Sequence, residues 1–214
     1  MSTYLFDFDG TLVDSMPTYA AMMLGILDEA RVPHEKDIIK ITTPLGYAKT
    51  AELFHAMGLD KPVEAIIGIM NERAVKAYTY DVPAKAHVID ALRYLKARGD
   101  DLNVLTASPH IMLDPCLKRL GIYDLFTNVW SCDDFATTKA DPSIYHMAAA
   151  RIGRPVEEIW FLDDNLGADT TAKSAGMRVC GVYDASSAEY AQEMKKVCDA
   201  YIIDFSQIDM LDSL

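Results

Sequence analysis

The hydrophobic pattern divides the chain into two kinds of segment. Residues 3–8, TYLFDF, form a short apolar run suited to a central strand. A helical period follows. Tyr19, Met22, Met23, Ile26, Leu27 and Ala30 fall on one face, with Asp14 or Ser15 placed to cap its start. Residues 47–57 and 61–79 carry the same period, divided by Gly58 and Pro62. The stretch from 15 to about 80 therefore reads as a helical block without a strand.

After Pro83 the strands return. A helix predicted over 86–98 ends at Gly99, a residue suited to the position just past a helix. DLNVLTAS, 101–108, reads as a strand. Residues 109–121 read as a helix with Ser108 as N-cap and Pro109 in its first turn. Pro115 inside it marks a kink or a restart. A strand at 127–132, a helix closing on Gly153, a strand at 158–164, a helix to Gly176 and a strand at 178–183 come next. A helix near 186–197 and a short strand at 201–203 complete the pattern, with no internal repeat.

Strands alternating with helices predict an α/β fold. The expected architecture is a Rossmann-like three-layer α/β/α core with a mostly parallel sheet, covered on both faces. Residues 1–14 and 81–214 supply that core, and 15–80 form an inserted helical cap domain. In such sheets ligands bind beyond the carboxyl ends of the strands. The polar residues there are Asp7 and Asp9 after the first strand, Thr106 and Ser108 after the second, and Asp163 and Asp164 after the fourth. The helical block is expected to act as a lid that moves over this edge.

Composition narrows the partners. A chain of 214 residues accommodates one large domain, or a core with a smaller insert. A net charge of −12 argues against a nucleic-acid partner, because phosphate backbones need a Lys/Arg surface. A small phosphorylated metabolite remains compatible, since a divalent cation can neutralise clustered carboxylates and substrate together. No apolar run is long enough for a membrane span, so no membrane partner is expected. The start, MSTYLF, lacks the features of a secretion signal. Cys116, Cys132, Cys180 and Cys198 are scattered, and read as reduced, mostly buried thiols. The expectation is a cytoplasmic protein, a monomer or weak dimer.

The strand ends suggest a chemistry. Four carboxylates on one edge repel one another strongly without a cation. Oxygen ligands with no nearby His or Cys suit Mg2+. An aspartate can attack phosphorus to form an aspartyl-phosphate, and a second can protonate the leaving oxygen and later activate water. Gly10 permits a close turn beside them. Thr106, the amides after it and Ser108 lead into a helix N-terminus, which suits an anion. Lys139, in TTKADPSIY, supplies a cation. Taken singly these residues are ordinary: DFDGT an Asp-Gly turn, Thr106 a strand threonine, Lys139 a surface lysine. Order and position give them weight.

The four motifs DFDGTLVDS, NVLTAS, KADPSIY and FLDDN, taken in that order, resemble those of the haloacid dehalogenase (HAD) superfamily of aspartate-nucleophile phosphatases. The resemblance is to the subfamily with a helical cap after the first motif, which includes phosphoglycolate phosphatases and β-phosphoglucomutase-like enzymes. Three positions depart from the pattern. Ala107 stands where many relatives have Asn, Ala140 replaces a proline, and Ala168 stands where many have a further Asp, with Asp169 one place off. The resemblance implies that Asp7 is nucleophile and Mg2+ ligand. Asp9 would be general acid/base, with its carbonyl oxygen a ligand. Lys139 would orient Asp7, Asp164 would bind Mg2+, and Asp163 would be a ligand or its partner. Thr106, Ala107 and Ser108 would bind the phosphoryl group, and residues 42–50, with Tyr47 and Lys49, would form the specificity loop.

An acidic residue at position 9 is not the pattern of relatives that cleave carbon–halogen or carbon–phosphorus bonds. Two activities remain: a Mg2+-dependent phosphatase of a small metabolite, or a sugar phosphomutase of the β-phosphoglucomutase type. TTPLGYAKTAE holds no arginine for a second phosphate, which favours the phosphatase. A phospho-accepting signalling receiver is a poorer fit, because its acceptor follows the third strand. A non-catalytic relative is a poorer fit because Asp7, Asp9, Thr106, Lys139 and Asp164 are all present.

Overall fold

The structure is a computed structural model of the chain, and it describes residues 1–35, 37–42 and 45–213. These form two compact units, one of residues 1–14 and 83–214 and the other of residues 15–82.

The first unit is built on a six-stranded sheet. Its strands are β1 (Thr3–Phe6), β2 (Asp101–Thr106), β3 (Asn128–Ser131), β4 (Ile159–Asp163), β5 (Arg178–Val182) and β6 (Ala200–Ile202), in the order β3-β2-β1-β4-β5-β6. Every pairing is parallel. The chain winds outward from β1 through β2 to β3, then returns to place β4 on the other side of β1. That reversal opens a crevice at the carboxyl ends of β1 and β4. Phe6 pairs with both Val104 and Leu162, so the segments leaving β1, β2 and β4 emerge side by side.

Alternation along β1 separates two faces. Leu5 joins Leu105, Phe161 and Val179 in a core with Ile144, Tyr145, Ala148 and Ala149 of α7 (Ser143–Ile152) and Ala168 and Ala172 of α8 (Leu166–Ser174). Tyr4 and Phe6 stack on the opposite face, and Phe6 meets the rings of Phe126 and Phe205. The expected layers on both faces of the sheet are present. All four cysteines are free thiols and only Cys198 is not fully buried.

The second unit is helical: α1 (Met16–Glu29), α2 (Ile38–Thr42), α3 (Gly46–Ala56) and α4 (Val63–Tyr80). It has its own apolar core, in which Met23, Ile26 and Leu27 of α1 meet Phe54 of α3 and Ile66 and Met70 of α4. Ser15 occupies the N-cap position of α1, but its hydroxyl makes no capping bond and is buried without a partner among the described residues. Pro17 in the first turn removes one of the N–H groups a cap would serve.

Three elements differ from their sequence expectation. Helix α6 runs His110–Arg119 with Pro109, not Ser108, at its N-cap, and it continues through Pro115. Residues 185–190 form a 3-10 turn ahead of α9 (Ala191–Val197), where one longer helix was expected. Phe205–Ser213 winds into a 3-10 segment that no periodicity announced; it buries Phe205, Ile208 and Leu211, and Asp212 receives Arg98. Among the described residues, no helix is long and apolar enough to cross a membrane.

Candidate active site

The first motif leaves β1 as a tight loop. Leu12 and Val13 N–H groups both donate to the Phe8 carbonyl, and Gly10 N–H donates to Val13 (2.9 Å). Gly10 has φ +74°, a conformation that costs a non-glycine residue. A Cβ there would lie 2.5 Å from Asp164 Oδ2, so the loop closes on the end of β4 only with glycine at this position. Thr11 donates from its hydroxyl to Asp164 Oδ1 (3.1 Å). The loop therefore carries Asp7 and Asp9 to the mouth of the crevice and is fastened to Asp164.

Asp7, Asp163 and Asp164 each offer an oxygen within 4.8 Å of the others, and all three are buried. Lys139 reaches into this cluster from the loop before α7, donating to Asp7 Oδ1 (2.5 Å) and Asp163 Oδ2 (2.7 Å). The Tyr145 hydroxyl steadies that loop, within hydrogen-bond distance of the Lys139 carbonyl (3.0 Å) and the Ala168 carbonyl (3.1 Å). Asp163 has both oxygens engaged, since Oδ1 accepts from Asn165 N–H (2.8 Å).

Charge in this pocket is out of balance. Burial first, then the charges of Asp163 and Asp9, push Asp7 up to about 7 even though Lys139 opposes the shift. Burial and the neighbouring Asp163, Asp7 and Asp184 hold Asp164 well above the usual carboxylate range. Burial acts to neutralise Lys139, but Asp163 and Asp7 outweigh it and keep the ammonium protonated. Three buried carboxylates thus share one ammonium. An all-oxygen donor set with surplus negative charge fits a hard divalent cation such as Mg2+. Asp7 and Asp164 are placed to hold it, with Asp163 either a further donor or the anchor of Lys139.

The remaining candidates behave differently from one another. The Asp9 carboxylate is not part of the cluster; Oδ2 accepts a hydrogen bond from Ser108 Oγ (2.5 Å). A metal-ligand role for Asp9 therefore falls to its carbonyl oxygen. Thr106 is buried, and its hydroxyl oxygen accepts from Ser108 N–H (3.1 Å). The Ser108 amide, expected to serve an anion, is bonded inside the turn in this structure. Ala107 is exposed at the tip of the turn.

In the helical unit Tyr47 is half-buried against the apolar core and Lys49 is exposed. Thr43 and Pro44 of the expected specificity loop lie outside the described residues. Asp169, whose role was open, is fully buried on α8, and its Oδ2 accepts from the Cys198 thiol (3.2 Å). It is not among the clustered carboxylates. Sequence reasoning missed Thr11, although its place directly after Asp-Gly signals a residue beside the turn. It also missed Tyr145, six residues after Lys139.

A model of the haloacid dehalogenase-like hydrolases matches residues 4–182 of the chain. The chain belongs to this family. The HAD-like match covers the helical insert, the four motifs and the sheet as far as β5. A curated relative, the phosphoglycolate phosphatase of Salmonella typhi, is 30% identical over 203 residues, covering 83% of this chain and 79% of the relative. Two solved HAD-like structures share the fold. One, from Thermotoga maritima and provisionally described as a β-phosphoglucomutase, has a TM-score of 0.85 at 20% identity and is covered over 100% of both chains. The other, a predicted phosphoglycolate phosphatase from Haemophilus somnus 129pt, has a TM-score of 0.82 at 21% identity, with 99% of this chain and 98% of that one covered.

Proposed function

We propose that this HAD-like hydrolase is a Mg2+-dependent phosphatase of a small phosphorylated metabolite, with phosphoglycolate the first candidate substrate. The observation that carries the reading is the buried Asp7–Lys139–Asp163 chain beside Asp164 at the sheet's crevice. The 30% identity to a phosphoglycolate phosphatase supports the substrate class.

Asp7 attacks phosphorus, the bond to the leaving oxygen breaks, and an aspartyl-phosphate forms. Lys139 keeps Asp7 oriented and ionised for this step, opposing the burial that favours its neutral form. Asp9 gives a proton to the leaving oxygen, then takes one from the water that hydrolyses the aspartyl-phosphate. Ser108 holds the Asp9 carboxylate between these events. The Thr106 hydroxyl, whose oxygen accepts from the Ser108 amide, keeps its own proton for a phosphoryl oxygen. A bound Mg2+ supplies charge neutralisation for the carboxylates and the phosphoryl oxygens.

The test is phosphate release from a panel of small phosphomonoesters with Mg2+ and with EDTA, using Asp7→Asn as control. Metal-dependent release that disappears in Asp7→Asn is the expected result. Isomerisation of a sugar phosphate without release would make the chain a phosphomutase, and undiminished release by Asp7→Asn would remove the nucleophile assignment.

A further inference from the structure

The Lys85 side chain is largely buried, and its ammonium makes three contacts. Nζ donates to the Gly10 carbonyl (2.5 Å), the Tyr183 carbonyl (2.6 Å) and Asp184 Oδ2 (2.8 Å). An ammonium has three protons, so its donor capacity is filled. Its partners come from separate parts of the first unit: the Asp9–Gly10 turn and the segment that follows β5. The Lys85 backbone is fixed too. Its N–H donates to Leu12 O (3.0 Å), and Asp14 N–H donates to Pro83 O (2.9 Å), so the chain on either side of the helical insert is paired.

The position of this ammonium has a consequence for the carboxylate cluster. Gly10 is the residue packed against the Asp164 carboxylate, with no room for a Cβ between them. A donor on the Gly10 carbonyl fixes the turn that also carries Asp9. Lys85 also pairs with Asp184, a carboxylate close enough to Asp164 to act on it electrostatically. Asp184 is further held by Ser186, whose N–H and hydroxyl both donate to Oδ1. Lys85 thus ties a fixed acid to the catalytic turn.

We propose that Lys85 is a positioning residue for the metal site, seating the Asp9–Gly10 backbone against Asp164 through the Gly10 carbonyl and anchored by Asp184. This rests on the reading of Asp7, Asp9 and Asp164 as metal-holding residues. A charge effect and a positioning effect have opposite signs. Removing a cation near carboxylates tightens a divalent ion by Coulomb attraction, whereas loosening the turn weakens it.

The decisive variant is the charge-balanced double, Lys85→Met with Asp184→Asn. It removes one charge of each sign and does not strand the Asp184 carboxylate without its ammonium. Mn2+ binding is followed by calorimetry without substrate. The double variant is expected to bind Mn2+ about tenfold more weakly than Asp184→Asn alone, as loss of a residue that orients metal ligands does; both variants lack the Asp184 charge that acts on Asp164, so the comparison isolates Lys85. A change of less than about threefold, or tighter binding, overturns the proposal. A wild type that binds no Mn2+ would instead defeat the metal-dependent reading of the site, so the two failures are distinct. Amine acetylation of the wild-type chain gives a reading that needs no variant: Lys85 is expected to react after the exposed Lys49 and Lys61, and reaction ahead of them would also overturn the clamp.

Discussion

Ser108 Oγ and Asp9 Oδ2 lie 2.5 Å apart, joining the turn after β2 to the turn after β1. The bond ties Asp9, the proposed general acid/base, to the element that carries Thr106, and the Ser108 amide is bonded to Thr106 in the same turn. Removing the hydroxyl takes away this hold on the Asp9 carboxylate without changing the backbone of either turn. Ser108→Ala is expected to lower kcat about tenfold, within the range that a positioned acid/base contributes. KM should change little and Ser108→Thr should recover most of the rate. Steady-state kinetics on the best substrate checks this; an unchanged kcat would show that Asp9 is oriented by other contacts.

Among the described residues Lys139 is the ammonium bonded to both Asp7 and Asp163; the two carboxylates are buried and the Lys139 side chain is largely so. Deleting it leaves two carboxylates facing each other without a counter-charge. Breaking a buried pair by removing one partner costs about 3–5 kcal/mol. Lys139→Met is therefore expected to be inactive and, in EDTA, less stable by about 3 kcal/mol. Mg2+ should restore part of that loss, because a cation at Asp7 and Asp164 relieves the same repulsion. Urea unfolding with and without Mg2+ measures both effects, and equal losses in the two conditions would mean that no cation enters the cluster.

The parts of this molecule legible in sequence were those governed by local rules. Alternating apolar runs located all six strands, and Asp-Gly and Gly punctuation placed their ends, so Asp7, Asp9, Thr106, Asp163 and Asp164 fell on one edge. What escaped depends on contacts between residues far apart in the chain. Lys85 meets Gly10 across 75 positions and Asp184 across 99. Neither interval has a period, and a single lysine after a proline-containing linker looks like a surface residue. Ser108 reads as an N-cap because serine before a helix usually is one. Asp9, arriving from 99 positions away, captures its hydroxyl instead. The 3-10 segment at 205–213 has spacing too irregular for a helix signal, yet its apolar residues still find the core.

Gly10 gives a sharp test of how tightly the turn closes. Its φ of +74° is unfavourable for alanine, and an added Cβ would overlap the Asp164 carboxylate at 2.5–2.6 Å. Both effects act on Asp164, since relief requires it to move away from Thr11 Oγ1. Gly10→Ala is expected to fold, because the sheet and its core do not depend on this contact, and to lose metal affinity and activity together. Circular dichroism with Mn2+ calorimetry separates the outcomes. A variant that binds Mn2+ as wild type does would show that Asp164 has slack to retreat without leaving the site.

Asp169 offers a prediction that needs neither metal nor substrate. It is fully buried, Oδ2 accepts from Cys198, and Oδ1 has no partner among the described residues. Burial first, then the charge of Asp163, holds its carboxyl well above the usual range, against the opposing Cys198 thiol and Lys139. In the unfolded chain an aspartate ionises near about 3.9. Between that value and the raised one the folded state binds more protons than the unfolded state. Its contribution to stability is therefore full below about 3.9 and is lost progressively as pH rises through the window. Asp169→Asn keeps an acceptor for the Cys198 thiol and cannot ionise. Urea unfolding of the metal-free proteins at about pH 5, 6, 7 and 8 is expected to show Asp169→Asn gaining on wild type as pH rises, until the folded carboxyl is fully ionised. Parallel curves for the two proteins would mean that Asp169 titrates alike folded and unfolded, and that its buried oxygen reaches water.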